Sequence, residues 1–488
     1  MSFPRAAGIL LHPTSLPGPN GIGELGPDAF RFVDTLAAAG MKLWQMLPLG
    51  PTGYGDSPYQ CLSAFAGNPL LIHLPDDGTP FPAHEVDFAR VIPHKRARLR
   101  AALDAFVPDE RYHAFVHEHA WWLEDFALFV ALKDAHDGRA WTEWEPGAAR
   151  REAAALETWR ARLAEEIERH RRAQFVFFEQ FTALKRHCAA RGVRLMGDLP
   201  IYVAHDSADV WAGRALFQLH DDGSPRVQAG VPPDYFSATG QLWGNPVYDW
   251  DRMRADGYAW WIRRFRYAFA QFDVVRLDHF RGFESYWEVP GADTTAMHGR
   301  WVQGPGAELF RALTAALGSL PIVAENLGLI TPEVESLRAQ FALPGMGILH
   351  FAFGNEGEYN QFLPHNHVRE LVVYTGTHDN DTTVGWWTAA AGEANTRSAD
   401  AIERERDFVR RYLATDGHDI QWTLIRTALA SVAHTALIPM QDVLGLSSEA
   451  RMNLPGRPGG NWRFRFSWDQ LHDASVERLA SLARLYDR

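Results

Sequence analysis

Three short apolar runs that break into a carboxylate hold most of the chemistry legible in this chain. They are Val274-Val275-Arg276-Leu277-Asp278-His279-Phe280-Arg281-Gly282, Ile322-Val323-Ala324-Glu325-Asn326-Leu327-Gly328 and Tyr374-Thr375-Gly376-Thr377-His378-Asp379-Asn380-Asp381. Such a run reads as a buried strand of a parallel sheet. A carboxylate where the strand runs out lies at the carboxyl end of the sheet, where α/β barrels place their chemistry. Three acidic groups on one rim fit acid/base work on a glycosidic bond, which needs a nucleophile and a proton donor.

The three groups differ in their neighbours. Arg276 and Asp278 are two apart on a strand, so their side chains point the same way. A guanidinium there favours the ionised carboxylate, the form a nucleophile needs; the plainer alternative is a structural Arg–Asp pair inside a barrel. Glu325 follows Ile322-Val323-Ala324 with no basic residue beside it. An apolar setting raises a carboxyl pKa and suits a general acid, with a solvated rim glutamate as the alternative. Asp379 lies between His378 and Asn380, beyond a turn at Gly376. That cluster can grip sugar hydroxyls and oppose the charge of an oxocarbenium-like transition state. An Asx turn, or a metal held by His378, Asp379 and Asp381, are the alternatives, although the pattern matches no strong metal motif. Asp198, in Met196-Gly197-Asp198-Leu199-Pro200-Ile201-Tyr202-Val203, is a fourth strand-end carboxylate. Spacing does not choose which three of the four react.

The elements that must position these groups follow from strand–turn–helix alternation. Eight strands are expected near Gly8–Leu11, Lys42–Leu47, Val193–Asp198, Val274–Asp278, Pro321–Glu325, Gly347–Phe351, Leu371–Gly376 and Thr435–Met440. Helices are expected from Pro27 through Phe30, Val33 and Leu36 to Gly40, along Phe177, Phe181 and Leu184 to Gly192, and along Leu309, Phe310, Leu313 and Leu317 to Gly318. Thr331-Pro332 reads as an N-cap followed by Pro at the first helical position. The fold class is therefore α/β, a closed (β/α)₈ TIM barrel with helical and loop insertions between strands. We expect one catalytic barrel domain over residues 1–488. Within it, 51–192 forms a mainly helical insertion beside the barrel mouth, with helical stretches at Arg96–Phe106 and Arg150–Arg172. A second insertion, 203–273, carries a substrate-covering loop at about 231–250 whose Pro, Gly, Asn and aromatic content suits exposed rings.

Composition narrows the function classes. The 488 residues are 46% hydrophobic and 22% charged, an ordinary globular balance. A net charge of −12 argues against a nucleic-acid partner. Cys61 and Cys188 are too few for a disulfide scaffold or a cysteine-based zinc site. The N-terminus has too short an apolar run for a signal peptide, and no stretch approaches a membrane span. A cytoplasmic protein with no membrane partner and no cofactor is the simplest expectation. The 18 Trp, 13 Tyr and 29 Phe could face sugar rings, though aromatic residues more often fill cores.

At these residues the chain resembles the amylomaltases, 4-α-glucanotransferases of glycoside hydrolase family 77, which are related to the α-amylases. The resemblance runs from Gly8-Ile9-Leu10-Leu11-His12-Pro13-Thr14-Ser15-Leu16-Pro17 through Gly55-Asp56-Ser57-Pro58-Tyr59 and the three carboxylate segments to Arg451-Met452-Asn453-Leu454-Pro455-Gly456. It implies Asp278 as nucleophile, Glu325 as general acid/base and Asp379 as transition-state stabiliser. It also implies that Asp198, Arg276 and His378 line the subsite of the reacting glucose. The loop with Tyr235, Gln241, Trp243 and Asn245 resembles an acceptor-side flap, and Tyr59 a donor-site ring. Where amylases follow the third-strand Asp with an Asn-His pair, this chain has Tyr202 and Val203, so that histidine contact and the neighbouring calcium site are not expected. Little sequence follows the eighth strand and its helix, so no C-terminal β domain is expected.

The reaction implied is retaining transfer of an α-1,4-glucan segment to the 4-hydroxyl of an acceptor glucan or of glucose. Hydrolysis of maltodextrin is the rival enzyme reading, and a catalytically idle glucan-binding barrel is the rival from another class.

Overall fold

The computed structural model of the chain describes residues 5–233, 239–354, 356–392, 398–457 and 459–488. Twelve strands are found among them: β1 (Ala6–Leu10), β2 (Leu43–Gln45), β3 (Arg194–Leu199), β4 (Val227–Val231), β5 (Gln241–Pro246), β6 (Val274–Leu277), β7 (Ser285–Pro290), β8 (Arg300–Gln303), β9 (Ile322–Ala324), β10 (Gly345–Ile348), β11 (Leu371–Tyr374) and β12 (Thr435–Pro439). Eight of them form one parallel sheet in the order β10-β11-β12-β1-β2-β3-β6-β9. These correspond to the eight strands expected from the alternation pattern, except that the one expected at Gly347–Phe351 runs over Gly345–Ile348 and Leu349–Phe351 is a 3-10 turn. The remaining seam, between β9 and β10, is bridged by Ala324 N–H donating to Pro344 O at 2.8 Å and Met346 N–H donating to Asn326 Oδ1 at 2.8 Å. Gly345 is required there: a Cβ would lie 2.8 Å from the Asn326 side chain. The result is a nearly closed eight-stranded barrel.

Each barrel strand is buried on both faces, which is why these segments read as continuous apolar runs rather than as alternating ones. Inside, Ala6, Leu43, Met196, Val274, Val323, Met346, Ile348, Val372, Tyr374 and Leu437 fill the lumen as a packed core. Outside, the helices cover the sheet. Helix Pro27–Ala38 buries Ala29, Phe32, Val33 and Leu36, so its inward stripe runs through Phe32 while Phe30 is only half-buried. Helix Gly306–Leu317 buries Leu309, Phe310 and Leu313 and stops at Gly318, whose φ of 78° a side chain would resist. Helix Pro332–Gln340 starts with Pro at its first turn after Thr331.

Between β2 and β3 lie helices Phe88–Asp104, Glu110–Ala135, Ala153–Arg162 and Ala164–Ala190. The expected helical stretch Arg150–Arg172 is thus broken twice, before Ala153 and at Leu163, whose φ/ψ of −106°/20° leaves the helical region. Between β3 and β6 the structure differs more. Gln241–Pro246, expected in a long loop, is strand β5, the outer member of an antiparallel sheet ordered β5-β4-β7-β8. Its loop-like composition reflects a bulge: pairing slips between Gln228–Pro246 and Gly230–Leu242, with Gly244 at φ 73°. Tyr235 lies outside the described residues. No helix among the described residues is long and apolar enough to cross a membrane.

Candidate active site

Strand register brings the carboxylates together. Asp198 on β3 pairs directly with Arg276 on β6, and Leu277 pairs with Ala324 on β9. Asp278 and Glu325 therefore each stand one residue past a registered pair, on adjacent strands at the carboxyl end of the barrel. Asp379 reaches the same rim from the loop after β11.

Arg276 is the centre of charge. Its Nη1 lies 2.7 Å from Asp198 Oδ2 and its Nη2 2.8 Å from Asp278 Oδ1. One guanidinium fork thus holds two carboxylates in fixed orientation. Burial works against the Arg276 charge, yet Asp198 and Asp278 outweigh it and hold its pKa well above the ordinary arginine value. Burial raises Asp198, with Arg276 opposing. The side chain of Asp198 is fully buried, whereas that of Asp278 is 27% exposed. Of the pair, Asp278 is the one open to a ligand.

Glu325 differs in kind. Its Oε2 accepts from His279 N–H at 2.8 Å and its Oε1 from Leu327 N–H at 3.0 Å. Burial lifts its carboxyl to about 7, against the pull of Arg276 and of these two N–H groups, with Asp278 adding to the rise. Near neutral pH the group is poised between acid and base. His279 adopts a left-handed conformation, φ 48° and ψ 50°, uncommon for a side chain of this size. The strain points its N–H at Glu325. Burial holds the His279 ring down to about 4, despite Asp278.

Asp379 is the most open of the three, its side chain 44% exposed. Asn453 Nδ2 donates to its Oδ1 at 2.6 Å, and Arg451 Nη2 donates to its main-chain oxygen at 2.6 Å. His378 Nε2 lies 3.4 Å from the same Oδ1. The turn alternative belongs to neighbouring residues: Asn380 Oδ1 accepts from Thr377 N–H at 2.8 Å, and Asp381 accepts from Thr382 N–H and Ser448 Oγ, both at 2.8 Å. Among the described residues no group of three or more His, Cys, Asp or Glu is placed to hold a metal ion.

Aromatic rings wall one side. Tyr59 stacks on His378, with centroids 5.2 Å apart and planes at 15°, and donates its hydroxyl to Asp198 Oδ2 at 2.8 Å. Trp462 packs against both rings, at 5.8 Å from Tyr59 and 6.1 Å from His378. On another side Trp243 meets the edge of His279 at 4.8 Å and donates to Gln241 Oε1 at 3.2 Å.

Of the expected site residues, nine of the ten that are described thus join one connected rim. Asn245 stands apart: it is buried, donates to Val203 O at 2.8 Å and accepts from Gln60 at 3.4 Å. Its amide ties β5 to the loop after β3. The turn at Gly244 explains this, because it breaks the alternation that would keep Asn245 on the face of Trp243. Sequence reading assigned no part to His279, Arg451, Asn453 or Trp462. The segment Arg451–Gly456 stood out, but nothing local links Asn453 to an aspartate 74 positions earlier.

Comparison with known proteins identifies the family. A family model for 4-alpha-glucanotransferase, glycoside hydrolase family 77, matches residues 11–471. The chain is similar to a 4-alpha-glucanotransferase of Thermus thermophilus, 49% identical with all of both chains covered. It is likewise similar in structure to an amylomaltase from Streptococcus agalactiae solved in complex with acarbose, at TM-score 0.94 and 38% identity over 99% of each chain. An amylomaltase from Corynebacterium glutamicum shares the fold at TM-score 0.80 and 18% identity, over 98% of this chain and 75% of that one.

Proposed function

The chain belongs to glycoside hydrolase family 77 and is a 4-alpha-glucanotransferase acting on α-1,4-glucans, and from that premise we propose how its rim carries out the transfer. Asp278 attacks the anomeric carbon of the donor glucose while Glu325, protonated, delivers its proton to the departing glycosidic oxygen. A β-linked glycosyl ester forms on Asp278 as the α-linkage breaks, and the reducing-end fragment leaves as an alcohol. Glu325, now ionised, takes the proton from the 4-hydroxyl of an incoming glucan or glucose. That oxygen displaces Asp278, and the α-1,4 bond is restored. Two inversions give net retention.

The single observation that carries this reading is the split between the two neighbouring carboxyls. Asp278 is gripped by Arg276 at 2.8 Å and its side chain is open to a ligand. Glu325 is raised to about 7. An accessible carboxylate paired with arginine beside a buried carboxyl raised towards neutrality fits a nucleophile and an acid/base. Asp379, oriented by Asn453 and Arg451, we read as holding sugar hydroxyls and balancing positive charge as the oxocarbenium-like state develops. Asp198, Arg276 and His378 line the reacting subsite, and Tyr59 offers a ring face to the donor. Gln241 and Trp243 face the acceptor, while Asn245 supports their strand. The rim accepts maltooligosaccharides, maltodextrin or amylose, a reading supported by the acarbose held by the similar amylomaltase.

Transfer exceeds hydrolysis when a bound acceptor outcompetes water, since an oriented sugar has an effective concentration far above its bulk value. Incubation with maltotriose, products being resolved by chain length over time, tests this. Glucose with maltopentaose and longer chains, at constant total reducing ends, is expected. Rising reducing ends without longer chains would mean a hydrolase on the same barrel.

A further inference from the structure

We infer that Arg281 is a positioning residue that sets the spacing between the loop of Asp278 and the loop of Glu325, acting through Glu325 rather than on the sugar. The inference rests on the roles proposed above for those two carboxyls.

Residues 278–281 run between the ends of β3 and β9 as a short series of ties, the first to β3 and the next two to Glu325. Asp278 N–H donates to Leu199 O at 3.1 Å, His279 N–H to Glu325 Oε2 at 2.8 Å and Phe280 N–H to Glu325 O at 3.1 Å. The backbone then coils into the 3-10 turn Phe280–Phe283 and these main-chain ties end. Arg281 extends the series with its side chain. Its Nη1 donates to the carbonyl of Leu329, its Nη2 to Ser285 Oγ at 3.0 Å and its Nε to Ser285 O at 3.4 Å. The guanidinium carbon lies 3.8 Å from the Trp301 ring centroid. The residue is buried, at 5% exposure.

What this clamp holds is the loop that carries half of the Glu325 hydrogen bonding. Leu329 is two residues beyond Leu327, whose N–H donates to Glu325 Oε1. The other oxygen is held by His279, two residues before Arg281. The carboxyl of Glu325 is therefore strung between two N–H donors on different loops, and Arg281 joins those loops. The second loop is anchored at Leu327 and Ile330, but between them Gly328 sits at φ 83° and Leu329 is 63% exposed. An arginine suits the task because its planar fork reaches several acceptors while its face stacks on an indole. Ser285 donates onward to Glu284 Oε2 at 2.6 Å, so the nearest carboxylate meets the cation through a hydroxyl.

Three variants of the full chain test this, with kcat and KM for maltotriose measured across the pH range and unfolding midpoints recorded alongside. Arg281→Met removes the fork but keeps an apolar stem beneath Trp301. It should lower kcat about ten- to a hundredfold, the cost of a misplaced group, with KM changed by less than about threefold. Its alkaline limb should move upward, because Glu325 loses the Leu327 N–H that favours its ionised form. Arg281→Lys should recover part of both effects. Trp301→Leu removes the ring that stacks on Arg281, with its edge contact to Trp287, and keeps an apolar side chain at an exposed position. It should move the limb in the same direction by less, at an unchanged unfolding midpoint. Wild-type kcat and pH limb in Arg281→Met would overturn the inference. So would a loss of kcat in that variant with an unmoved limb and a silent Trp301→Leu. If Arg281→Met fails to fold, Arg281→Lys and Trp301→Leu decide by the same limb. An alkaline limb that persists in Glu325→Gln would instead fault the assignment of Glu325.

Discussion

Glu325 is held near neutrality by burial while two N–H groups and Arg276 pull its carboxyl the other way. With the proton-donor role proposed for it, kcat/KM for maltotriose should fall as pH rises through about 7, and Glu325→Gln should abolish that limb along with most of the activity. A stability consequence follows. The folded value, about 7, lies above the unfolded glutamate value of about 4.3, so folding favours the protonated form. That contribution is complete below about pH 4 and is lost as pH rises through 7. At pH 8 Glu325→Gln should therefore be more stable than the wild type by about 1–3 kcal/mol. Denaturant unfolding at pH 8 and pH 4 checks this; the gain should vanish at the lower pH. At this scale the sequence was partly legible. Arg276 and Asp278 are two apart on one strand, and Glu325 ends an apolar run, so their contrast needed only local spacing. The donors to Glu325 and Asp379 come from other loops, and no local pattern joins Asn453 to Asp379.

The loops and edge strands decide what approaches the carboxyls. Trp243 sits on a bulged edge strand, where Gly244 at φ 73° turns the chain so that the indole meets His279 while Asn245 is drawn inward. Trp243→Ala should weaken acceptor use more than donor cleavage, read as a larger fall in transfer to added glucose than in the release of the first fragment. Equal losses would remove the acceptor role. In the segment after β12, Asn453→Ala takes away the 2.6 Å bond to Asp379 Oδ1 and should lower kcat about tenfold or more with a smaller effect on KM, because the bond matters most as charge develops. Steady-state kinetics on maltotriose separate the two parameters. The element most easily misread was β5. Gln241-Leu242-Trp243-Gly244-Asn245-Pro246 looks like loop because glycine and proline interrupt it, and its pairing partner β4 lies across a gap in sequence that local propensity does not span.

The whole molecule is a nearly closed barrel with insertions between its strands, and the helical one is tied on by buried polar contacts. Lys95, fully buried on helix Phe88–Asp104, binds Glu24 from the loop after β1 and donates to Ile72 O at 2.7 Å, while Glu24 also holds His73 at 2.9 Å. Lys95→Met leaves the Glu24 charge buried without its partner and should destabilise the fold by about 3–5 kcal/mol in denaturant unfolding. The fold of the barrel was legible because its strands are apolar on both faces and are punctuated by glycine stops. The ion pair was not, since no local pattern joins Glu24 to a lysine 71 positions later.

Double displacement requires a covalent glycosyl ester on Asp278, and that ester is the most direct thing to look for. A maltotriosyl fluoride lacking its non-reducing 4-hydroxyl can donate but not accept. Incubated with the enzyme in the absence of an acceptor and quenched in acid, it should leave one glycosyl adduct, mapped by mass spectrometry to the peptide containing Asp278 and absent in Asp278→Asn. An adduct on Asp198, Glu325 or Asp379, or turnover of the fluoride by Asp278→Asn at the wild-type rate, would contradict the account.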